Sequence, residues 1–97
     1  MVSQDEQTAI REVTITNAHG LHLRPVMKFV DVASRYVADI RVDKGAGTTP
    51  ADGKSPMALM VLEAPKGTVL RILATGTDAV QTVEALAALI QTKFDEE

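Results

Sequence analysis

Three segments of the chain alternate between apolar and polar residues, with the period of two that is typical of a half-buried β-strand. These segments are residues 11–16, 38–42 and 68–75. In the first segment Val13 and Ile15 share one face, which we expect to pack into a core. A weaker strand is predicted over residues 48–52, where Pro50 cannot donate a ladder hydrogen bond and restricts the strand to a sheet edge. The glycine-containing turn at residues 44–47 should join this arm to the preceding strand as a hairpin.

Three other segments repeat their apolar residues with the 3.6-residue period of an amphipathic α-helix. The first helix is predicted over residues 23–36, and Pro25 suits its first turn, where an N–H group would lack a partner in any case. The second begins after Ser55 and Pro56, a typical N-cap followed by a typical first helical residue, and a Pro-Lys-Gly sequence keeps it short. The third begins at or near Asp78. Its apolar stripe comprises Val80, Val83, Leu86, Ala87, Ile90 and Phe94, and that of the first helix comprises Val26, Phe29, Val30, Ala33 and Tyr36 or Val37.

The order of these elements is β-α-β-β-α-β-α, and each helix has a single apolar stripe. This pattern predicts an α+β fold, a two-layer open-faced sandwich in which three helices cover one face of a four-stranded antiparallel sheet. The 97 residues suffice for one domain. Residues 1–8 are predicted to form a flexible leader, and residues 9–97 form the domain itself.

The composition excludes several classes of function. No cysteine is present, which excludes disulfides, thiol catalysis and thiolate metal sites. Only three aromatic residues, together with 10 basic against 13 acidic residues, argue against nucleic-acid binding. The acidic N-terminal residues do not resemble a signal peptide, and the longest apolar runs, 57–62 and 85–90, are too short for membrane insertion. We therefore expect a cytoplasmic protein.

Because the sequence has no catalytic-elbow, Walker or dinucleotide-binding motif, candidate chemistry rests on polar residues before the first and second helices. His22 lies just before the first helix, whose start offers unpaired N–H groups and partial positive charge that favour an anion such as phosphate. The same field disfavours the protonated imidazole, so the ring would be neutral and nucleophilic. Arg24 could hold a phosphate through two hydrogen bonds, and Lys28 and Lys54 could add positive charge. On spacing alone, a histidine that only caps the helix is the competing interpretation.

His19 lies three residues before His22, a spacing that suggests a pair of metal ligands. Gly20 argues against a helix here, and no acidic residue lies nearby in the sequence to complete a site. We therefore interpret His19 as a solvated loop residue and predict neither a metal site nor a cofactor.

Two segments carry a resemblance to a known family. Residues 17–36, with Gly-Leu-His-Leu-Arg-Pro at residues 20–25, resemble the active-site segment of HPr, the histidine-containing phosphocarrier family of the phosphoenolpyruvate-dependent phosphotransferase system. Gly-Lys-Ser-Pro-Met at residues 53–57 is similar to the regulatory serine segment of that family. The resemblance covers nearly the whole chain after the leader, and the family has the same β-α-β-β-α-β-α order.

The resemblance implies a phosphocarrier and not an autonomous enzyme. His22 would accept a phosphoryl group on Nδ1 from phosphorylated enzyme I and pass it to an enzyme IIA domain, while Arg24 neutralises the phosphoryl charge. Two positions depart from the family pattern. Leu23 stands where a small residue is usual, and Pro56 stands where an aliphatic or aromatic residue is more frequent, which puts the choice of partner in question more than the chemistry.

Ser55 has two compatible interpretations. As an N-cap it would stabilise its helix by about 1 kcal/mol. The resemblance adds phosphorylation by an HPr serine kinase/phosphorylase, and phosphate at a helix start is electrostatically favoured. Pro56 could alter the fit to that kinase.

Several residues near the two helix starts are predicted to contact partner proteins. Met27 falls off the main apolar stripe, and the helix starts that carry His22 and Ser55 are expected to lie side by side. An exposed methionine-rich patch there would suit a monomeric carrier that binds several partners. The predicted interface comprises Leu23, Met27, Lys28, Lys54, Pro56, Met57 and Met60.

Other functions are open at this stage. A regulatory binding module would signal through the phosphorylation state of Ser55 or His22 to a kinase, a transcription factor or a metabolic enzyme. A small ligand-binding sandwich would carry the motif incidentally and would need an apolar pocket between sheet and helices. The sequence does not separate the sugar branch of phosphotransfer from the nitrogen-related branch. An approach of the acidic residues 95–97 to Arg24 is a further hypothesis.

Overall fold

The computed structural model describes residues 7–95, which form four strands and three α-helices. Residues 1–6, which belong to the predicted leader, and residues 96–97 of the acidic tail lie outside the described residues. In chain order the elements are β1 (Gln7–Thr14), α1 (Leu23–Ala33), β2 (Asp39–Asp43), β3 (Ala51–Asp52), α2 (Pro56–Leu62), β4 (Val69–Gly76), α3 (Ala79–Gln91) and a 3-10 turn at Lys93–Asp95. None of the helices in this part of the chain is both long and apolar enough to cross a membrane.

The four strands form one antiparallel sheet in the order β1-β4-β2-β3. β4 lies between two partners, with Leu70 opposite Val13 of β1 and Ile72 opposite Val42 of β2. β3 pairs with β2 over two residues only, because Pro50 precedes it and has no N–H group to donate. The three helices cover one face of this sheet, which confirms the predicted α+β open-faced sandwich.

The core lies between the sheet and the helices. The strand residues that alternation assigns to the inner face are buried, namely Val13, Ile40, Val42, Leu70, Ile72 and Ala74. Phe29 of α1, Leu59 of α2 and Leu86 of α3 belong to the same buried cluster. Val26 in the first turn of α1 is fully buried as well, so the start of α1 is fixed on the sheet.

The first strand and the first helix differ from their predicted bounds. β1 begins at Gln7, so two residues of the predicted leader pair with β4. α1 ends at Ala33 and not near Tyr36, and Val37 is 76% exposed. The Val37 and Ala38 N–H groups donate to the carboxylate before α3, at 2.9 and 3.0 Å. The chain therefore leaves the helix early to reach the start of α3.

The start of α3 buries a different stripe from the predicted one. Val80 is 51% exposed, whereas Ala79 and Thr82 are fully buried. Asp78 precedes the helix as expected, but its carboxylate accepts the N–H groups of the α1–β2 connection and does not cap α3. The small buried side chains allow this helix to lie close to the sheet.

The described part of the chain ends in a left-handed turn. Phe94 was expected to extend the stripe of the last helix, but α3 ends at Gln91 and Phe94 reaches the core by another route. Lys93, Phe94 and Asp95 have φ values of 56°, 56° and 59°. This conformation costs roughly 1–2 kcal/mol per residue when the residue is not glycine. Complete burial of the Phe94 ring offsets part of this cost.

Candidate functional site

A tight loop between β1 and α1 positions His22. Asn17 is buried, and its side-chain Nδ2 donates to the Gly20 carbonyl at 2.7 Å. The backbone carbonyl of Asn17 accepts a hydrogen bond from the Gly20 N–H at 3.2 Å. The His22 N–H donates to the same Gly20 carbonyl at 3.0 Å. These bonds fold residues 17–22 into a compact turn that leads directly into the helix.

Gly20 lets this loop lie against the segment that follows α2. Its φ of +66° is in the left-handed region, and a Cβ atom would lie 2.6 Å from the Ala64 carbonyl oxygen and 2.7 Å from Cα of Pro65. The Leu21 N–H donates to the Ala64 carbonyl at 2.8 Å. The loop is therefore fixed on one side by α1 and on the other by the end of α2.

His22 is the N-cap residue of α1. Its backbone is extended, and its carbonyl accepts the first helical hydrogen bond from the Val26 N–H at 2.9 Å. Its side chain is half-buried and makes no capping hydrogen bond, which argues against a histidine that only caps the helix. The amides of Leu23 and Arg24 in the first turn have no acceptor within the helix, so the ring stands beside donors suited to an anion.

His22 lies in an open surface cavity of about 930 Å³. The cavity is lined by Ala18, His19, His22, Leu23, Arg24, Met27, Lys28 and Asp95. Arg24 and Lys28 bring positive charge to this lining, and Asp95 brings negative charge. Together with the start of α1, the two basic side chains give the cavity an electrostatic character that favours a phosphoryl group.

The start of α2 does not share this cavity. The Lys54 ammonium group donates to the Tyr36 carbonyl, beyond the C-terminal end of α1, at 2.7 Å. The loop that carries His22 meets Ala64, beyond the C-terminal end of α2. The two helices therefore run antiparallel, because the β2–β3 hairpin returns the chain to the far end of α1. The expectation that the starts carrying His22 and Ser55 lie side by side was wrong, and Lys54 is not part of the cavity lining.

Ser55 caps α2, as its sequence predicts. Its Oγ accepts from the Ala58 N–H at 3.2 Å, and a proline follows in the first turn. Met57 and Met60 on this helix are 74% and 39% exposed, so both are available to a partner. The sequence analysis missed Val61, whose side chain is 73% exposed on the same helix.

Asn17 and His19 also lie near His22, and of these two the sequence pattern did not single out Asn17. Asn17 begins an Asn-x-x-Gly turn, a pattern in which the first side chain often bonds the backbone, and this signal would have identified it. His19 is exposed, as expected, but its ring centroid lies 5.9 Å from that of His22 with the two planes 86° apart.

Within residues 7–95, no group of three or more histidine and acidic side chains could hold a metal ion. Asp95 lines the same cavity as Arg24, as the tail hypothesis expects.

The comparison with known proteins assigns this arrangement to a family. The family model described as "PTS HPr component phosphorylation site" matches residues 9–92. The chain belongs to the HPr family. The matched residues of this HPr-family protein include the entire β1–α1 loop and all three α-helices that follow it.

Relatives of this HPr-family chain are named HPr or NPr. Phosphocarrier protein HPr of Pseudomonas aeruginosa is 45% identical over 85 residues, which cover 88% of this chain and 93% of the relative. Phosphocarrier protein NPr of Klebsiella oxytoca is 34% identical over 90 residues, which cover 93% of this chain and 99% of the relative. The solved structure of HPr-C-His from Thermoanaerobacter tengcongensis has 36% sequence identity and a TM-score of 0.83, and the match covers 92% of this chain and 98% of that one.

Membership of the HPr family gives this chain a general role. It is a phosphocarrier of the phosphotransferase system. A carrier of this kind works with other proteins of that system, which deliver and remove the phosphoryl group.

Proposed function

We propose that His22 accepts a phosphoryl group from phosphorylated enzyme I and passes it to enzyme IIA-type domains. The observation that carries this proposal is the position of His22, at the start of α1 and in one open cavity with Arg24. The openness of the cavity supports a relay, because two different partners must reach the same ring. We also propose that the protein acts in the cytoplasm and that it acts as a monomer.

Each transfer moves one phosphoryl group in line between two nucleophiles. On loading, an unprotonated ring nitrogen of His22, which the family resemblance assigns as Nδ1, forms a bond to phosphorus while the bond to enzyme I breaks. On unloading, the phosphorus–nitrogen bond breaks while the acceptor on enzyme IIA forms its own bond. Arg24 and the first-turn amides of α1 stabilise the charge on the equatorial oxygens. Because a carrier must release its cargo, they should stabilise the transferring group more than the settled phosphohistidine.

The partner surface is proposed at the rim of the cavity and on α2. Leu23 and Met27 line the cavity and are 60% and 49% exposed, so they offer apolar area directly beside the reacting ring. Met57 and Met60 add exposed apolar surface on α2, and the flexible methionine side chain adapts well to different partners. Further members of the predicted surface are Lys28, which lines the cavity, and Lys54 and Pro56, which lie toward the start of α2.

The proposed relay applies to the sugar branch and to the nitrogen-related branch alike, since relatives carry the names HPr and NPr. Purified enzyme I of each branch, offered at equal concentration, separates the two by the rate of loading. A loading rate at least tenfold higher with one enzyme I assigns the branch.

Regulation at Ser55 is a second function that is compatible with the first. Its Oγ already serves as the N-cap acceptor, and a phosphate there would replace that contact and interact favourably with the start of α2. Because α2 starts at the far end of α1, such a phosphate would act on partner docking and not on the His22 cavity. The enzyme proposed for this step is an HPr serine kinase/phosphorylase. A regulatory module that signals to a kinase or transcription factor would use the phosphorylation state of this residue or of His22.

The ligand-binding sandwich has less support. The space between β4 and the helices α1 and α3 is filled by fully buried side chains, among them Phe29, Ile72 and Leu86. An apolar ligand there would have to displace core residues.

The test of the proposed relay is intact-mass analysis after incubation with phosphoenolpyruvate and enzyme I. The unmodified chain should gain one acid-labile phosphoryl group, and His22→Ala should gain none. His19→Asn is the matched control, since it alters the neighbouring histidine and should still gain one group. A phosphoryl group that persists in His22→Ala would overturn the assignment of the acceptor. Failure of the unmodified chain with the enzyme I of both branches would favour the regulatory module.

A further inference from the structure

The rings of His19 and His22 form an edge-to-face pair in the lining of the cavity. Their centroids are 5.9 Å apart and their planes are 86° apart. The Asn17–Gly20 hydrogen bonds and the packing of Gly20 on Ala64 hold the backbone between them. His19 is therefore held beside the reacting ring and does not merely occupy a solvated loop.

The groups around this pair make the charge of His19 dependent on what His22 carries. Among the described residues, the charged and titratable side chains that line the cavity are His19 and His22 of the loop, Arg24 and Lys28 of α1, and Asp95 of the C-terminal turn. Before loading, the two basic side chains oppose a third positive charge, and only Asp95 favours it. A phosphoryl group on His22 adds about two negative charges and reverses that balance. Histidine is the side chain whose protonation such a change can move across neutral pH.

We propose that His19 is a pH-dependent electrostatic partner of the phosphoryl group, which takes up a proton when His22 is loaded. The proposal rests on the proposed function, because it needs a phosphoryl group on His22. Loading forms the phosphorus–nitrogen bond at His22 and breaks the bond to the donor, and the proton that His19 gains comes from solvent. The imidazolium of His19 then stabilises the loaded carrier. Arg24, whose charge is permanent, supplies a stabilisation that pH does not change.

The consequence is that acidity raises the fraction of the carrier that is loaded at equilibrium. A phosphoryl group on the His22 ring, whose centroid lies 5.9 Å from that of His19, should move the titration midpoint of His19 upward by roughly one pH unit. By linkage, the equilibrium constant for loading is then about tenfold larger well below the two midpoints than well above them. The His22 ring and the donor contribute their own pH dependence, so the effect of His19 is the difference between the chain and a variant without that histidine.

The first test follows the ring C–H signals of His19 by nuclear magnetic resonance as a function of pH, in the unloaded and the loaded chain. Phosphorylation of His22 is read in the same sample from its own ring signals. The proposal expects the His19 midpoint to move upward by about one pH unit on loading. A loaded His22 with an unchanged His19 midpoint overturns this inference and leaves the relay intact. If His22 takes up no phosphoryl group, the relay itself has failed.

The second test measures the loading equilibrium with enzyme I at a fixed concentration, from about pH 5.5 to about pH 8.5. Across this pH range the equilibrium constant for loading should vary by about tenfold less in His19→Asn than in the unmodified chain, because an amide of similar size carries no charge. His19→Lys should favour the loaded form across the whole range, since its charge persists at the alkaline end. Equal pH profiles for the unmodified chain and His19→Asn would overturn the proposal, as would a His19→Lys profile that matches His19→Asn.

Discussion

The Lys28 ammonium group donates a 2.6 Å hydrogen bond to the Phe94 carbonyl, and so joins the second turn of α1 to the C-terminal turn. The Phe94 ring is buried, and Asp95, the next residue, lines the His22 cavity. One lysine therefore contributes charge to the cavity and also holds the left-handed segment that brings a carboxylate to it.

Lys28→Met should lower the free energy of unfolding by about 1–2 kcal/mol, because a charged hydrogen bond is lost from a half-buried position. Lys44→Met is the matched control, since the Lys44 ammonium donates to the Glu63 carbonyl at 2.9 Å in an exposed setting. The control should lose no more than about 0.5 kcal/mol. Urea unfolding monitored by circular dichroism measures both, and equal losses would show that the contact to Phe94 does not tether the turn.

Gly20→Ala should destabilise the chain by about 3 kcal/mol, because a Cβ atom would overlap the backbone of Ala64 and Pro65 in addition to the strain of a positive φ. Gly45→Ala separates the two contributions. Gly45 has φ +107° with no atom within 4 Å of a built Cβ, so only the backbone strain of about 1 kcal/mol applies. Thermal unfolding of the two variants gives the comparison. If Gly45→Ala lowers the stability as much as Gly20→Ala does, the close approach of Gly20 to the segment after α2 does not contribute to stability.

Arg24→Ala should slow phosphoryl transfer by about a hundredfold and leave the fold unchanged, since the side chain is exposed and its charge acts on the transferring group. Arg35→Ala is the control just beyond the C-terminal end of α1, where the guanidinium pairs with Asp31 at 2.8 Å away from the cavity. Single-turnover transfer from phosphorylated enzyme I is the measurement. Equal rates for the two variants would remove Arg24 from the proposed mechanism.

Ser55→Ala should cost about 1 kcal/mol of stability, because the Ala58 N–H loses its acceptor. Ser55→Asp should recover most of that loss, since aspartate is also a good N-cap residue and its charge suits the helix start. If the start of α2 belongs to the docking surface, Ser55→Asp should weaken binding to enzyme I while Ser55→Ala does not. Titration calorimetry with enzyme I measures both variants, and unchanged affinity for Ser55→Asp would confine Ser55 to its structural role.

The periodicity of the sequence predicts the strands, the helices and their buried faces, because burial of one face is what produces those periods. It predicts less well where a helix ends. Phe94 stands four residues after Ile90, as a continued helical stripe requires, yet the helix stops at Gln91 and the backbone turns left-handed to bury the same ring. Periodicity records that a residue is buried and does not record the backbone path that buries it.

The local motif around His22 was also readable, because a histidine, an arginine and a proline at a helix start act through neighbours in sequence. The position of Ser55 relative to that motif could not be predicted from the sequence, since it depends on the end of α1 to which the β2–β3 hairpin returns the chain. The ring contact between His19 and His22 was not predicted for a related reason, since it depends on the loop geometry at Gly20.

The central place of β4 in the sheet has a consequence for how the chain acquires its activity. Apart from the two-residue pairing of β2 with β3, both strand pairings of the sheet require β4, which comes late in the chain. Its two partners lie far before it, so sheet formation must close long loops and should proceed as one cooperative step. The loop that carries His22 is bonded to the segment just before β4, through Leu21 and Ala64. A chain caught before that step would lack an assembled His22 loop, so the proposed relay requires a completely folded chain.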